Sequence, residues 1–588
     1  MDSNGPNWHP AGDKIKTKWG TNLDPNKVWQ EYPRPQLERK EWLNLNGPWS
    51  YRITNIDSPF REKYDGKILI PFCLESSLSG VMKSLNEKQI LYYSKEFTIP
   101  KEWKNKNILI HFNAVDWKCV LYINEIKIGE HTGGYSDFYF DITKSLNDGI
   151  NNIILKVWDP SDKGYQPVGK QTLNPNSIWY TSISGIWQTV WLEPVNDKFI
   201  KKLEINNDFD NKEIKINFKT NCDEKLPLTV SLIYNKEEIL NLNGISNTEI
   251  IFKIPDKYFH PWSPIEPNIY IIKVQLLNDS KNLIDSISSY TTIRKVEQKK
   301  DEKGYYRIFI NNKPFFNMGT LDQGYWPDGL YIPPSEEAMI YDIQKLKELG
   351  FNTIRKHIKI EPYRYYYECD KLGMLVWQDM PSGDRQNNQW EYHTLNSGTD
   401  VQRSEESKNN YYKEWSEIID NLKFFQCIII WIPFNEAWGQ FDTEKVVNFT
   451  RKKDPTRLIN AASGGNHRIC GNFLDLHNYP HPEQYLKVDN LINILGEFGG
   501  LALDIKGHTW KGDNWGYETF KTKEEVTKKY EEYIDLIIDK MKGFSAAIYT
   551  QTTDVEIEIN GLLTYDRAEV KVIVERIKAA NEKIISII

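Results

Sequence analysis

The run Cys427-Ile428-Ile429-Ile430-Trp431-Ile432 leads without a break into Pro433-Phe434-Asn435-Glu436-Ala437-Trp438. A short apolar run, rich in β-branched residues and stopped by a proline, reads as a strand buried on both faces. Strands of that kind belong to parallel sheets covered by helices. The same pattern recurs around it, at Phe315–Thr320, Phe351–Lys356, Leu375–Gln378, Leu458–Ala461, Phe473–His477, Ile494–Phe498 and Ser545–Tyr549. Amphipathic stretches at Ser335–Leu349, Glu361–Leu372 and Thr443–Lys453 separate several of these runs. Eight strands alternating with helices across residues 299–588 match a (β/α)8 TIM barrel. A doubly wound open sheet is the rival, but no glycine-rich phosphate loop follows any of the strands.

Upstream the rhythm is all-β. Residues 1–196 carry short alternating stretches at Ile68–Phe72, Leu91–Thr98, Asn107–Phe112, Val120–Ile128, Asn151–Trp158 and Ile186–Glu193, divided by Gly, Asn, Asp and Pro. That spacing predicts a jelly roll. Residues 197–298 add Glu213–Lys219, Leu228–Tyr234, Glu249–Ile254 and Tyr270–Leu277, a set of the size and spacing of an immunoglobulin-like sandwich.

Composition narrows the function. The 20 Trp, 33 Tyr and 24 Phe give much flat apolar surface, which suits the CH faces of sugars and equally suits β-sandwich cores. A net charge of −7 without a basic cluster argues against a nucleic-acid partner. The longest apolar runs are too short to cross a bilayer, so no membrane partner is expected. Met1-Asp2-Ser3-Asn4-Gly5-Pro6 lacks the features of a secretory leader. The expected location is therefore cytoplasmic, or periplasmic or secreted if a leader has been removed. The six cysteines are scattered, form no C-x-x-C pair and read as buried free thiols rather than a zinc site. Homo-oligomerisation is left open.

Reacting groups of a barrel stand at the C-terminal ends of its strands. There the sequence places Glu436 on the fourth strand and Glu497, within Gly496-Glu497-Phe498-Gly499-Gly500, on the seventh. Arg355-Lys356-His357 ends the second, and Asp475-Leu476-His477-Asn478-Tyr479-Pro480 runs out of the sixth. A single glutamate at a strand end is most often a salt-bridge partner. Two on facing strands are the equipment for glycoside cleavage: one protonates the departing oxygen, the other attacks the anomeric carbon or activates water.

Trp431-Ile432-Pro433-Phe434-Asn435-Glu436 resembles the acid/base signature of glycoside hydrolase family 2, and Gly496-Glu497-Phe498-Gly499 resembles its nucleophile strand. This is the family of β-galactosidases, β-glucuronidases and β-mannosidases. The resemblance spans nearly the whole chain. Pro35-Gln36-Leu37 through Leu45-Asn46-Gly47-Pro48-Trp49 resembles the start of the family's sugar-binding jelly roll, and Gly185-Ile186-Trp187-Gln188-Thr189-Val190-Trp191-Leu192 its end. Pro261-Trp262-Ser263-Pro264, Tyr270, Asp285 and Ile293-Arg294 resemble the middle domain. The resemblance implies a retaining, exo-acting β-glycosidase, β-galactosidase-like in the broad sense, whose substrate is a carbohydrate. Glu436 would be the acid/base and Glu497 the nucleophile. Asn435 would bond the sugar 2-hydroxyl, Arg355 would hold Glu497 ionised, and Tyr479 would donate to it. His477 would line the same wall or serve as a structural histidine.

The departures matter as much. The family's histidine three residues after the arginine is displaced to His357, expected to face away from the cavity. Trp377-Gln378-Asp379-Met380 lacks the ligands that hold magnesium in some relatives, so neither catalytic metal nor other cofactor is expected. The eighth strand ends in Tyr549 instead of the usual tryptophan. Tyr549 is expected to floor the sugar subsite, or Trp510 or Trp515 to swing in. Trp438 is a further candidate contact. Asp322 and Trp326, after the first strand, either touch the terminal sugar or belong to a surface turn closed by Pro327 and Gly329. Asn560-Gly561-Leu562 lacks the lysine of the glucuronidase Asn-x-Lys motif, which weakens that specificity. A β-mannosidase or galactofuranosidase-like specificity, or a non-catalytic carbohydrate-binding protein, are the alternatives.

Overall fold

The computed structural model describes residues 8–58, 63–385 and 390–588. The barrel strands are β1 Asn317–Asp322, β2 Thr353–Lys356, β3 Leu375–Asp379, β4 Ile428–Ile432, β5 Leu458–Ile459, β6 Phe473–Asn478, β7 Ile492–Gly499 and β8 Ala546–Thr550. They form one parallel sheet in the order β5-β4-β3-β2-β1-β8-β7-β6. The Asn472 N–H donates to the Ile459 carbonyl at 2.8 Å and ties the β6 entry back to β5, so the barrel closes. Each apolar run read from the sequence is one of these strands.

The helices are α1 Glu336–Glu348, α2 Tyr363–Leu372, α3 Glu405–Leu422, α4 Thr443–Lys453, α5 Lys523–Lys540 and α6 Val574–Ile585. Helix α1 starts where the Ser335 hydroxyl accepts from the Ala338 N–H. Helix α5 starts with a capping box between Thr522 and Glu525. Both caps satisfy amide groups that would otherwise lack partners. Among the described residues no α-helix follows β5 or β6, which leaves that side of the mouth to loops.

The N-terminal unit is a jelly-roll sandwich of a six-stranded and a four-stranded antiparallel sheet around Trp49, Tyr93, Ile110 and Leu121. One expected strand, Val120–Ile128, is instead a hairpin of Lys118–Ile123 and Ile126–Thr132. Asn124 and Glu125 adopt φ of 50° and 69°, the left-handed pair that a tight two-residue hairpin turn needs. An Asn-Glu pair gives weaker warning of that turn than Asn-Gly. The immunoglobulin-like unit pairs a three-stranded with a four-stranded sheet, closing over Phe218, Val230, Phe252 and Val274.

Polar contacts bind the three units. Glu193 accepts from Arg34 and Arg39 at 3.0 and 2.9 Å, and Arg39 also reaches Asp285 in the middle unit at 2.7 Å. Arg294 donates to the Gln426 and Ile428 carbonyls at 2.6 and 2.8 Å, ahead of and at the start of β4. At the mouth, the Val168 N–H donates to Gly383 O at 3.1 Å, and the Thr181 N–H to the Glu556 carboxylate at 2.9 Å. The jelly roll thus leans over the C-terminal ends of the barrel strands.

Candidate active site

Arg355 organises the mouth. It is fully buried at the end of β2, and its guanidinium serves three strand ends at once. It donates to Glu497 Oε1 at 3.0 Å, to Asn435 Oδ1 at 2.8 Å and to both oxygens of Asp379 at 3.2 and 2.9 Å. Burial opposes its charge, but Asp379 and Glu497 more than restore it. Planar forked donors suit such multiple carboxylate and carbonyl partners. Glu497 is further held by the Tyr479 hydroxyl, which donates to Oε2 at 2.5 Å and lies 2.6 Å from the Thr550 hydroxyl.

Glu436 faces Glu497 from the end of β4. Its own φ is 51° and that of Ala437 is 61°, left-handed conformations that side chains rarely adopt. Strained backbone of this kind persists only where its surroundings fix it. Here the Glu436 N–H donates to Ser463 O at 2.8 Å, and the Trp438 N–H to Asn435 O at 3.1 Å.

His477 stands between the two carboxylates. Its Nδ1 is 2.9 Å from Glu436 Oε1 and 3.6 Å from Glu497 Oε1. Its Nε2 is 2.8 Å from the Ser463 hydroxyl, which donates onward to Asp475 at 2.5 Å. Because that hydroxyl spends its proton on Asp475, the shorter contact favours Nε2 as a donor, while Arg355 Nη1 lies farther off at 3.4 Å. With Nδ1 facing a carboxylate, the ring is favoured as an imidazolium. Burial pulls the His477 pKa down, yet Glu497 and Glu436 bring it above the ordinary histidine value. Burial likewise tends to raise Glu436, but the His477 bond and charge set it below the usual carboxylate range. These opposed shifts favour the arrangement in which the proton of the pair sits on the imidazole. Asp475 and Asp379 are both raised, first by burial. Gly496 makes room for this network, since a Cβ there would lie 2.1 Å from Asp475 Oδ1.

The structure gathers Glu436, Glu497, Asn435, Arg355, Tyr479 and His477 into one cluster. Several other expectations require correction. Tyr549 does not floor the cavity: its ring is fully buried and packs on Tyr530 of α5 at 5.2 Å. Strand alternation turns its neighbour Thr550 inward instead. Asp322 is consumed by Lys356, 2.6 Å away. Trp326 is 3% exposed, with the Arg567 guanidinium 3.7 Å over its ring, so neither offers a sugar contact. Trp510 packs on Tyr565 at 5.6 Å. Trp438 is buried beside Glu436 with its face turned to Trp179 of the jelly roll at 4.7 Å. His357 points inward rather than away: its Nδ1 is 2.5 Å from Asp379, on which Arg355 also sits. Two residues apart, the two side chains share a face; burial keeps this histidine neutral.

Asp379, Ser463 and Tyr517 were missed. Asp379 had a signal, as a polar residue ending an apolar strand. Tyr517 stacks flat on Tyr479 with centroids 4.0 Å apart, and nothing local in the sequence announces it. Among the described residues one group could hold a metal ion: Glu436, His477 and Glu497, with donor atoms all within 4.8 Å of one another. A cation there would have to displace the imidazole proton and occupy the oxygens that face the cleft.

Similarity to known proteins agrees with this architecture. Residues 33–194 match the sugar binding domain of glycosyl hydrolases family 2, residues 198–294 the domain described as glycosyl hydrolases family 2, and residues 306–494 the family's TIM barrel domain. The chain belongs to glycoside hydrolase family 2. The barrel match ends before Glu497, so the seventh-strand carboxylate rests on geometry. A β-galactosidase of Thermoanaerobacter pseudethanolicus is 25% identical over 440 residues, covering 71% of this chain and 55% of that one. A putative β-glucuronidase of Formosa agariphila is 28% identical over 464 residues, covering 73% and 40%. The chain thus spans about half the length of such relatives. The β-D-glucuronidase of Dictyoglomus thermophilum shares the fold, with TM-score 0.74, 19% identity and coverage of 94% and 98%. No helix among the described residues is long and apolar enough to cross a membrane.

Proposed function

We propose that this protein is a retaining, exo-acting β-glycosidase, with Glu497 as nucleophile and Glu436 as acid/base. The observation that carries the reading is the separation of the two carboxylates, whose donor oxygens lie within 4.8 Å of each other. Retaining enzymes hold their carboxyl groups about 5–5.5 Å apart, whereas inverting ones leave about 6.5–9.5 Å for a water. In the first step Glu497 attacks the anomeric carbon, the glycosidic bond breaks, and the proton shared by His477 and Glu436 leaves on the aglycone oxygen through Glu436. Esterification also removes the charge of Glu497 that helps keep His477 protonated. The pair then holds no proton, and Glu436 is the base that the second step needs to draw a proton from water. Arg355 and Tyr479 hold the Glu497 carboxylate in place by hydrogen bonds to its two oxygens, and Asn435, fixed by Arg355, presents its amide N–H to the sugar 2-hydroxyl.

The terminal sugar is proposed to be neutral, β-galactosidase-like in the broad sense. Asn560 is fully buried and bonded to Gln551 and Glu558, and Leu562 stands where glucuronidases carry a cation, so this loop offers a uronate carboxylate nothing. A panel of aryl β-glycosides, with the first-formed anomer read by proton NMR, tests both parts. Cleavage of a neutral β-glycoside with retention is expected. Inverted product contradicts the mechanism, and exclusive cleavage of a uronide contradicts the specificity.

A further inference from the structure

Lys170 belongs to the jelly roll, not to the barrel, yet it stands at the barrel mouth. Its segment is pinned there from both sides. The Val168 N–H donates to Gly383 beyond β3. Gly169, at φ 58°, passes so close to Ile358 beyond β2 that a Cβ would lie 2.5 Å from the Ile358 carbonyl oxygen. The Lys170 side chain then runs 5.8 Å over the ring of Tyr180, whose hydroxyl bonds Glu558. Its positive charge acts on Glu436, His357, Asp379 and Glu558, so it lies close to the carboxylate cluster.

What distinguishes Lys170 is the lack of a partner. It is only 8% exposed, and among the described residues its ammonium makes no hydrogen bond and has no carboxylate within 4.0 Å. Every neighbouring carboxylate is already engaged: Glu497 and Asp379 by Arg355, Glu436 by His477, Glu558 by Tyr180 and Asn560. The ammonium nitrogen itself is not among the sealed polar atoms that lack a partner. A lysine held largely out of water forfeits hydration that three donors could recover only from an acceptor. Structural lysines of this protein show the contrast: Lys356, also buried, lies within 2.7 Å of both Asp322 and Glu361.

We propose that Lys170 is a substrate-binding residue that donates to an oxygen acceptor on the terminal sugar, so that the N-terminal unit completes the sugar subsite and helps set its specificity. The proposal rests on the glycosidase reading above. Its acceptor is a ring hydroxyl or a carboxylate oxygen, and the two sources are separable by experiment.

The test is a cycle between Lys170→Met and the substrate. The unaltered protein and the variant are assayed on an aryl β-glycoside, its monodeoxy analogues and the matching aryl β-uronide. Thermal unfolding and the pH–rate profile are recorded in parallel. A hydrogen bond to a charged group predicts a loss of about tenfold to a hundredfold in kcat/KM for the variant. One deoxy position should show no further loss in the variant, identifying a hydroxyl; a loss confined to the uronide identifies a carboxylate. Unchanged kcat/KM on every substrate, the uronide included, or an equal loss on the parent and every analogue, overturns the proposal, the latter because a residue acting only through Glu436 discriminates against no substrate oxygen. Lys170→Gln, which keeps a donor without the charge, serves the same cycle if the methionine variant unfolds. Absence of turnover by the unaltered protein counts against the glycosidase reading instead of against Lys170.

Discussion

Two buried ionic clusters in this molecule look alike in composition and differ in what they leave unfinished. At the junction of the β units, Glu193 receives Tyr32 at 2.8 Å, Arg34 at 3.0 Å on each oxygen and Arg39 at 2.9 Å. Asp285 takes the rest of Arg39, and His111, 3.2 Å from Glu193, has its pKa lowered by burial, so two arginines balance two carboxylates beside a ring that burial favours as neutral. Glu193 is held well below the usual carboxylate range; burial acts against ionisation, and Arg34 and Arg39 overcome it. At the barrel mouth, Arg355 and His477 face Glu436, Glu497, Asp379 and Asp475, an excess of acids around one shared proton. Completed charge makes a fastener; a surplus carboxylate and a movable proton make a site that can react.

Glu436→Ala should separate the two most sharply. On substrates with poor leaving groups kcat/KM should fall about 10²–10⁴-fold, the usual worth of a positioned acid/base, and far less on activated aryl glycosides. Its thermal midpoint should move little. Equal losses on both substrate kinds would contradict the role of Glu436. Glu193→Ala should do the reverse, leaving Arg34 without its carboxylate and Arg39 with Asp285 alone, at about 3–5 kcal/mol of stability with kcat per folded molecule unchanged. Denaturant unfolding beside active-site titration checks this, and a kinetic defect without lost stability would erase the distinction.

The clusters should also part with pH. The depressed pKa of Glu193 means its contribution is present above the ordinary glutamate value and fades as pH falls through the folded one. The raised pKa of His477 acts oppositely: its contribution is full below the ordinary histidine value and is lost as pH rises through the folded one. In His477→Gln the reacting proton must rest on Glu436 alone, so the alkaline limb of kcat/KM should move down by about one pH unit or more. An unmoved limb would show that His477 does not share that proton. The smallest effect is expected from chelation, because Glu436 and His477 already bond one another and Glu497 is held by Arg355 and Tyr479. Activity should survive dialysis against a chelator, and loss restored by magnesium would contradict this.

The sequence made the strands of the barrel readable because each is an apolar run cut off by Pro, Gly or a charged residue. It showed Glu436, Glu497, Arg355 and Tyr479 because strand ends are where polar residues interrupt such runs. Facing was harder to read. Tyr549 and Thr550 are neighbours in sequence, and only the packing of Tyr549 on α5 shows which turns inward. His357 was misjudged by counting from a relative's position instead of from Arg355, two residues before it. Lys170, Trp179 and Tyr180 were out of reach for a different reason. They come from a separate unit, and contacts made only when folded units meet leave no local pattern.

The central claim is that Glu497 becomes covalently bonded to the sugar while Glu436 exchanges the roles of acid and base. A 2-deoxy-2-fluoro glycoside with a good leaving group tests it directly, since the fluorine slows both formation and hydrolysis of the intermediate while the leaving group restores the rate of formation alone. Mass spectrometry of the intact protein and of its peptides should find one added glycosyl group, on the peptide containing Glu497, with activity recovering as the ester hydrolyses. A label on Asp475, Asp379 or Glu436, or turnover of the parent glycoside with inversion and no label at all, would contradict the account.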